Sequence, residues 1–141
     1  MNTILFACVH DAGRSQIAAA WFNRLASPTV ARAISAGTEP SAEVHPVVAA
    51  VLGEAGFDVA GLGPQRLTND LAAAATMLVT MGCGEACPVV PSVERDDWPL
   101  LDPKGQPIER VRGIAQAIEA RVAQLIEQRG WAKAAATGDK T

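Results

Sequence analysis

Apolar positions change their spacing several times along the chain, and each change marks an element. Residues 3–8 form a nearly continuous apolar run that stops at His10-Asp11-Ala12-Gly13, a stretch with turn chemistry. That pattern reads as a short buried strand followed by a loop. From Arg14 onward, Ile17, Ala18, Trp21, Phe22 and Leu25 recur at helical spacing, so a helix is expected up to Ser27-Pro28. Residues 30–34 read as a second strand, leading into Ser35-Ala36-Gly37-Thr38. His45-Pro46 opens a second helix, with Val47, Val48, Val51 and Leu52 on its apolar side and Gly56 past its end. Residues 66–74 suggest a short helix capped by Thr68 or Asn69, and Ala75 to Thr80 a third strand. Residues 82–105 carry glycines, prolines and acids and read as a long functional loop. The clearest helix is 106–128, where Val111, Ile114, Ile118, Val122 and Leu125 keep one face apolar.

Strands alternating with helices predict an α/β fold with a parallel sheet covered on both faces. Ligands of such sheets sit beyond the carboxyl ends of the strands. Cys8 and Cys83 each follow a predicted strand, which places both at that edge.

Composition narrows the class. The chain has 141 residues, 49% of them hydrophobic, which fits one domain over 1–130 and a flexible tail over 131–141. The net charge of -3, without long runs of one sign, argues against a nucleic-acid surface. The run at Thr3–Ala7 is too short for a signal-peptide core and lacks a basic leader. No stretch approaches the roughly 20 apolar residues of a membrane span. The expected setting is cytoplasmic. Three cysteines, an odd number beside a good core, do not look like a secreted disulfide framework.

The chemistry concentrates in Cys8-Val9-His10-Asp11-Ala12-Gly13-Arg14-Ser15, a Cys-x5-Arg-Ser pattern. A loop between a strand and a helix start can turn its backbone N–H groups inward as a nest for an anion, reinforced by the helix dipole. The loop Val9, His10, Asp11, Ala12 and Gly13, with Arg14, is therefore the candidate anion-binding segment. Arg14 supplies a planar fork that matches two oxygens of a tetrahedral anion. Ser15 can donate a hydrogen bond to the Cys8 sulfur. Together these groups favour thiolate, the nucleophilic form. His10 suits an outer-rim position better than a general base, and Gly13 serves backbone geometry. The bland alternative is a strand-end cysteine beside an unrelated arginine.

Cys83-Gly84-Glu85-Ala86-Cys87 is a Cys-x3-Cys pair. By itself it could be two small loop residues, half of a metal site or a redox pair. Structural zinc usually takes four ligands, and His10 and His45 are the only histidines, so no metal site is expected.

Four segments taken in order resemble a known family. They are Cys8 through Gln16, Ser35-Ala36-Gly37-Thr38-Glu39-Pro40, Val79-Thr80-Met81-Gly82-Cys83-Gly84, and Trp98 through Asp102-Pro103. Together they resemble arsenate reductases with the low-molecular-weight tyrosine phosphatase fold, over residues 2–128. The resemblance implies a four-stranded parallel sheet flanked by helices on both faces, with the fourth strand inside 82–105. It implies Cys8 as nucleophile, Arg14 as anion clamp, Ser15 steadying the thiolate and Asp102 as the acid that protonates the leaving oxygen. Pro103 would hold Asp102 extended, although Asp-Pro alone is an ordinary turn signal.

It also implies a relay. Cys8 attacks arsenate, Cys83 attacks Cys8 and releases arsenite, and Cys87 attacks Cys83. The resulting Cys83–Cys87 disulfide is reduced by an external thiol, thioredoxin or a small thiol such as mycothiol, with no bound cofactor. Gly82 and Gly84 would give the segment freedom to move. The spacing of Cys83 and Cys87 is shorter than in familiar thioredoxin-linked members.

A second departure is Asp11, where the family usually has asparagine. Aspartate there is expected to be protonated, to pair with a cation or to point away; as a charged group it would disfavour thiolate and weaken oxyanion binding. A phosphatase of the same fold is the nearest rival. Such phosphatases place aromatics after Asp-Pro, whereas Lys104-Gly105 follows here and the chain has no tyrosine. A non-catalytic oxyanion-binding or phosphocarrier module is the other, and it leaves Asp102, Cys83 and Cys87 without a purpose.

Overall fold

In the computed structural model of the chain, residues 1–82 and 90–133 are described. The order is β1 Asn2–Cys8, α1 Arg14–Leu25, β2 Ala31–Gly37, α2 Pro46–Glu54, α3 Asn69–Ala73, β3 Met77–Thr80, β4 Glu94–Asp97 and α4 Ile108–Arg129. The strands form one parallel sheet ordered β2-β1-β3-β4. The fourth strand lies inside 82–105, as the resemblance implied. It is Glu94-Arg95-Asp96-Asp97, exposed at every residue, which is why apolar spacing does not reveal it. Charge along an edge strand discourages pairing with a second chain.

β2 runs three residues beyond the predicted 30–34 segment, because Ser35, Ala36 and Gly37 pair with Phe6, Ala7 and Cys8. α3 is shorter than 66–74 and is capped by Thr68, whose hydroxyl accepts from the Leu71 amide at 3.0 Å. α2 starts with Pro46 at its first turn, and Gly56 beyond its end has φ +89°. No helix among the described residues is long and apolar enough to cross a membrane.

Two apolar layers cover the sheet. On one face Ile4, Phe6, Met77 and Val79 meet α1, α2 and α4 through Ile17, Phe22, Val48, Leu52, Ile118 and Val122. On the other, Leu5, Ala7 and Leu78 meet Ala72 of α3, with Ile34, Leu67 and Val93 at the margin. A line of rings ties the first layer together: Phe6 lies 5.5 Å from Trp98 and 6.1 Å from Phe22, and Phe22 lies 6.1 Å from Trp131. Packing runs past residue 130. Trp131 is buried, Ala132 bridges to Ala26, and the Lys133 amide donates to Leu25 O at 3.3 Å. The remainder of the expected tail, 134–141, lies outside the described residues.

β1 is central, with β2 and β3 on its two sides. The chain reverses its direction of travel through the sheet there, and the crevice beyond the strand ends is the usual ligand position. Cys8 is the last residue of β1.

Replacing Phe22 by alanine removes the ring that joins Phe6 to Trp131. The expected loss is about 3–5 kcal/mol of stability, read from the denaturant midpoint, with a smaller loss for Phe22→Leu.

Candidate active site

Cys8 is 2% exposed and pairs in register with Gly37. From there to α1 the backbone takes a path set by its own carbonyls. Cys8 O accepts from the Thr38 amide (3.2 Å), Val9 O from Glu39 (2.7 Å), His10 O from Ser41 (3.0 Å) and Ala12 O from His45 (2.9 Å). Asp11 O accepts from the Gln16 side-chain amide at 3.0 Å. Every loop carbonyl from Cys8 to Ala12 is thus held by an outer partner. The amides of Val9 to Gly13 donate to no acceptor among the described residues. α1 likewise starts at Gly13 without a side-chain cap, leaving its first N–H groups open. Free amides and an uncapped helix start give this loop a geometry suited to an anion.

Two glycines make this path possible. A Cβ on Gly37 would lie 2.6 Å from Val9 O and 2.8 Å from the Asp11 amide. A Cβ on Gly13 would lie 2.7 Å from Pro103 Cγ. Asp11 adopts φ +49°, the left-handed region that short polar side chains tolerate best after glycine.

Arg14 is 8% exposed, and its Nη1 donates to Leu100 O at 3.1 Å. Its Nη2 lies 3.7 Å from Asp102 Oδ2, while its buried Nε has no partner among the described residues. The Nε/Nη2 edge is the fork that grips two oxygens at once. Arg112 uses the same edge on Glu54, at 2.9 and 2.7 Å. A buried guanidinium with an unanswered Nε–H fits a tetrahedral oxyanion in the nest. Gly82 (φ +103°) lies against this group: a Cβ there would collide with Arg14 Nη1 and lie 3.1 Å from Cζ. The expected hinge glycine therefore has a packing reason of its own.

Asp102 is partly exposed beside Arg14, with Oδ1 accepting from the Lys104 amide at 3.0 Å. The structure so brings Cys8, Arg14, Ser15 and Asp102 to one sheet edge. His10 is turned outward, donating Nδ1–H to Glu39 O at 2.9 Å. His45, at the start of α2, stands near Asp102. Burial holds it toward the neutral form, below its ordinary value, against the pull of Asp102. Cys83 and Cys87 lie outside the described residues.

Asp11 does not face the open nest as a free charge. It is fully buried, with Oδ1 accepting from Ser15 Oγ (2.7 Å) and Oδ2 from the Gln65 amide (3.0 Å). Burial raises its pKa above the ordinary 3.8, opposed by hydrogen bonds from Ser15, Gln65, Ser35 and Gln16. Sequence reasoning had no signal for Gln65 or the Leu100 carbonyl, because both act through the backbone across long separations.

A cysteine at the end of a parallel strand, inside a loop of free amides and beside an arginine fork, is an arrangement suited to a tetrahedral oxyanion. The chain belongs to the low molecular weight phosphotyrosine protein phosphatase family, whose profile matches residues 3–134. A thioredoxin-dependent arsenate reductase from Corynebacterium glutamicum is 35% identical and superposes with a TM-score of 0.78; the match covers 91% of this chain and 61% of that one. A glutaredoxin arsenate reductase from Synechocystis sp. is 32% identical, over 89% of this chain and 97% of that protein. A low molecular weight protein tyrosine phosphatase from T. tengcongensis, 20% identical, covers 91% of this chain and 99% of its own with a TM-score of 0.78, a likeness of fold alone.

Gly37→Ala should cost about 1–3 kcal/mol and weaken inorganic phosphate binding by displacing the loop. Titration calorimetry showing undiminished phosphate binding would break the link between Gly37 and the nest. Asp11 sets a pH dependence. Its raised folded pKa means that its contribution to stability is fully present below the ordinary carboxyl value and is lost as pH rises through the folded value. Denaturation across the acid range should show wild type losing stability relative to Asp11→Asn as pH increases.

Proposed function

We propose that this protein reduces arsenate to arsenite, with Cys8 as nucleophile and an external thiol as electron source. The observation that carries the reading is the unanswered Arg14 Nε–H beside a loop whose carbonyls are all turned away from Cys8. It is a site built for a tetrahedral oxyanion, with an acid, Asp102, at its rim. Relatives at 32–35% identity carry arsenate reductase names, which supports arsenate over a phosphate ester.

In the proposed reaction the loop amides and Arg14 hold the arsenate oxygens while the Cys8 thiolate attacks arsenic. Asp102 donates a proton to the departing oxygen, which leaves as water. The Cys83 thiolate then attacks the Cys8 sulfur. The sulfur–arsenic bond breaks, its electron pair stays on arsenic, and arsenite departs as a Cys8–Cys83 disulfide forms. Cys87 attacks Cys83, frees Cys8 and leaves a Cys83–Cys87 disulfide for an external thiol to reduce. Thioredoxin is the favoured donor, because the C. glutamicum relative is thioredoxin-dependent, and mycothiol or another small thiol is the alternative. A thiol-based cycle of this kind belongs in the reducing cytoplasm.

The family description itself supports a second reading, in which Cys8, Arg14 and Asp102 form and hydrolyse a phosphocysteine. That reading leaves Cys83 and Cys87 idle.

Arsenate reduction should be measured with thioredoxin and with small-thiol systems in turn. Cys8→Ser should abolish it with every donor, and Asp102→Asn should slow it by about 10²–10⁴-fold. Cys83→Ser and Cys87→Ser should each stop turnover with thioredoxin. Activity lost only in Cys8→Ser would remove the relay and leave a one-cysteine mechanism. Turnover of p-nitrophenyl phosphate without arsenate reduction would replace the reductase by the phosphatase.

A further inference from the structure

Ser15 is asked to do two things with one proton. Its Oγ lies 2.9 Å from Cys8 Sγ and 2.7 Å from Asp11 Oδ1, and all three side chains are buried. A hydroxyl carries a single hydrogen and can donate once. If Asp11 is a carboxylate, Ser15 donates to it, and Cys8 must then be a thiol donating S–H to Ser15. If Cys8 is a thiolate held by Ser15, the proton between Ser15 and Asp11 must belong to Asp11. Thiolate at Cys8 and carboxylate at Asp11 cannot both be served by this chain of atoms.

We propose that Cys8 and Asp11 share one proton through Ser15, and that in the reduced protein this proton rests on Asp11. The step conserves atoms and charge. The Cys8 proton passes to Ser15 Oγ, and the Ser15 proton passes to Asp11 Oδ1. The outcome is Cys8 thiolate, accepting from Ser15 O–H, and neutral Asp11, donating O–H to Ser15 Oγ. Asp11 acts here through Ser15 and touches no reacting atom, so it is a positioning residue with a proton to hold.

The surroundings favour that end of the exchange. On the Cys8 side stand the free loop amides and Arg14 of α1, both of which stabilise an anion. Asp102 follows β4 beside Arg14, and His10 and His45 flank the rim. On the Asp11 side every contact is neutral: Ser15 and Gln16 of α1, Ser35 of β2 and the Gln65 amide. Arg66, next to Gln65, donates instead to Thr38 O at 3.3 Å. Full burial among neutral groups penalises a carboxylate at Asp11, and the upward direction of its pKa agrees.

The inference rests on Cys8 as the nucleophile but not on arsenate as the substrate, so its test uses neither arsenate nor turnover. The protein should carry Cys83→Ser and Cys87→Ser, which leaves Cys8 as its only thiol. Ultraviolet absorbance then reports thiolate, and infrared absorption reports a carboxylic acid, both at neutral pH. The expected result is thiolate and an acid carbonyl band together. Asp11→Asn should lose the band and keep the thiolate, because an amide N–H can replace the acid O–H toward Ser15. Ser15→Ala, which cuts the chain one atom nearer the sulfur, should reduce the thiolate signal even if Asp11→Asn does not fold. Inorganic phosphate binding should weaken at alkaline pH in the Asp11 protein, when the shared proton is finally lost, and this limb should be missing in Asp11→Asn. Thiolate without an Asp11-dependent band overturns the proposal while leaving Cys8 as nucleophile. A band without thiolate, or neither signal, overturns it as well. Failure of arsenate turnover alone would instead strike the functional reading.

Discussion

The site depends on where five backbone carbonyls point. Each carbonyl from Cys8 to Ala12 is drawn outward, four by amides of Thr38, Glu39, Ser41 and His45 and one by the Gln16 side chain. A peptide unit that turns its oxygen out turns its N–H the other way. The nest is therefore a by-product of the clamp around it, and β2 with the segment after it forms most of that clamp. This explains why Gly37 lies so close to the loop. It also explains why the loop needs little regular structure of its own.

The second tier of the site is electrostatic. Arg14 is held at Nη1 by the Leu100 carbonyl and crowded by Gly82, so its free edge has a fixed direction. A fork already ordered loses little entropy when it binds an anion. The negative groups are kept in distinct places: Asp102 at the open rim, Asp11 enclosed behind Ser15. The same residue type is thus separated by burial into one that stands open at the rim and one that meets only its neighbours.

Much of the fold is legible in the chain because burial imposes its own spacing. β1, β3, α1 and α4 each have an apolar face, and each was predicted near its place. β4 is not revealed by apolar spacing, and only the family resemblance places it within 82–105, since Glu94-Arg95-Asp96-Asp97 is exposed throughout. It exists because the β3 edge offers unpaired backbone groups, a reason that lies in β3 rather than in β4. The site divides in the same way. Cys8, Arg14 and Ser15 are close in sequence and their chemistry can be read directly. Asp102 was legible only through family resemblance. Gln65, which braces Asp11 from 54 positions away, leaves no local mark, since its contribution is an amide that every non-proline residue has. Asp11 is visible in the sequence as a departure, but its meaning requires knowing that its carboxyl group is enclosed and bonded to Ser15.

The contact between Gly13 and Pro103 has a mechanical consequence. Pro103 Cγ occupies the space that a Gly13 side chain would need, so the segment carrying Asp102 rests directly on the loop carrying Cys8. Steric repulsion rises far more steeply than any hydrogen bond decays, and a hard stop of this kind sets a minimum gap. The backbone that carries Asp102 cannot be pressed further onto the loop at this point by rearrangement elsewhere between β4 and α4. The clearance for a ligand is in that sense gauged by two small residues, neither of which carries a reactive atom.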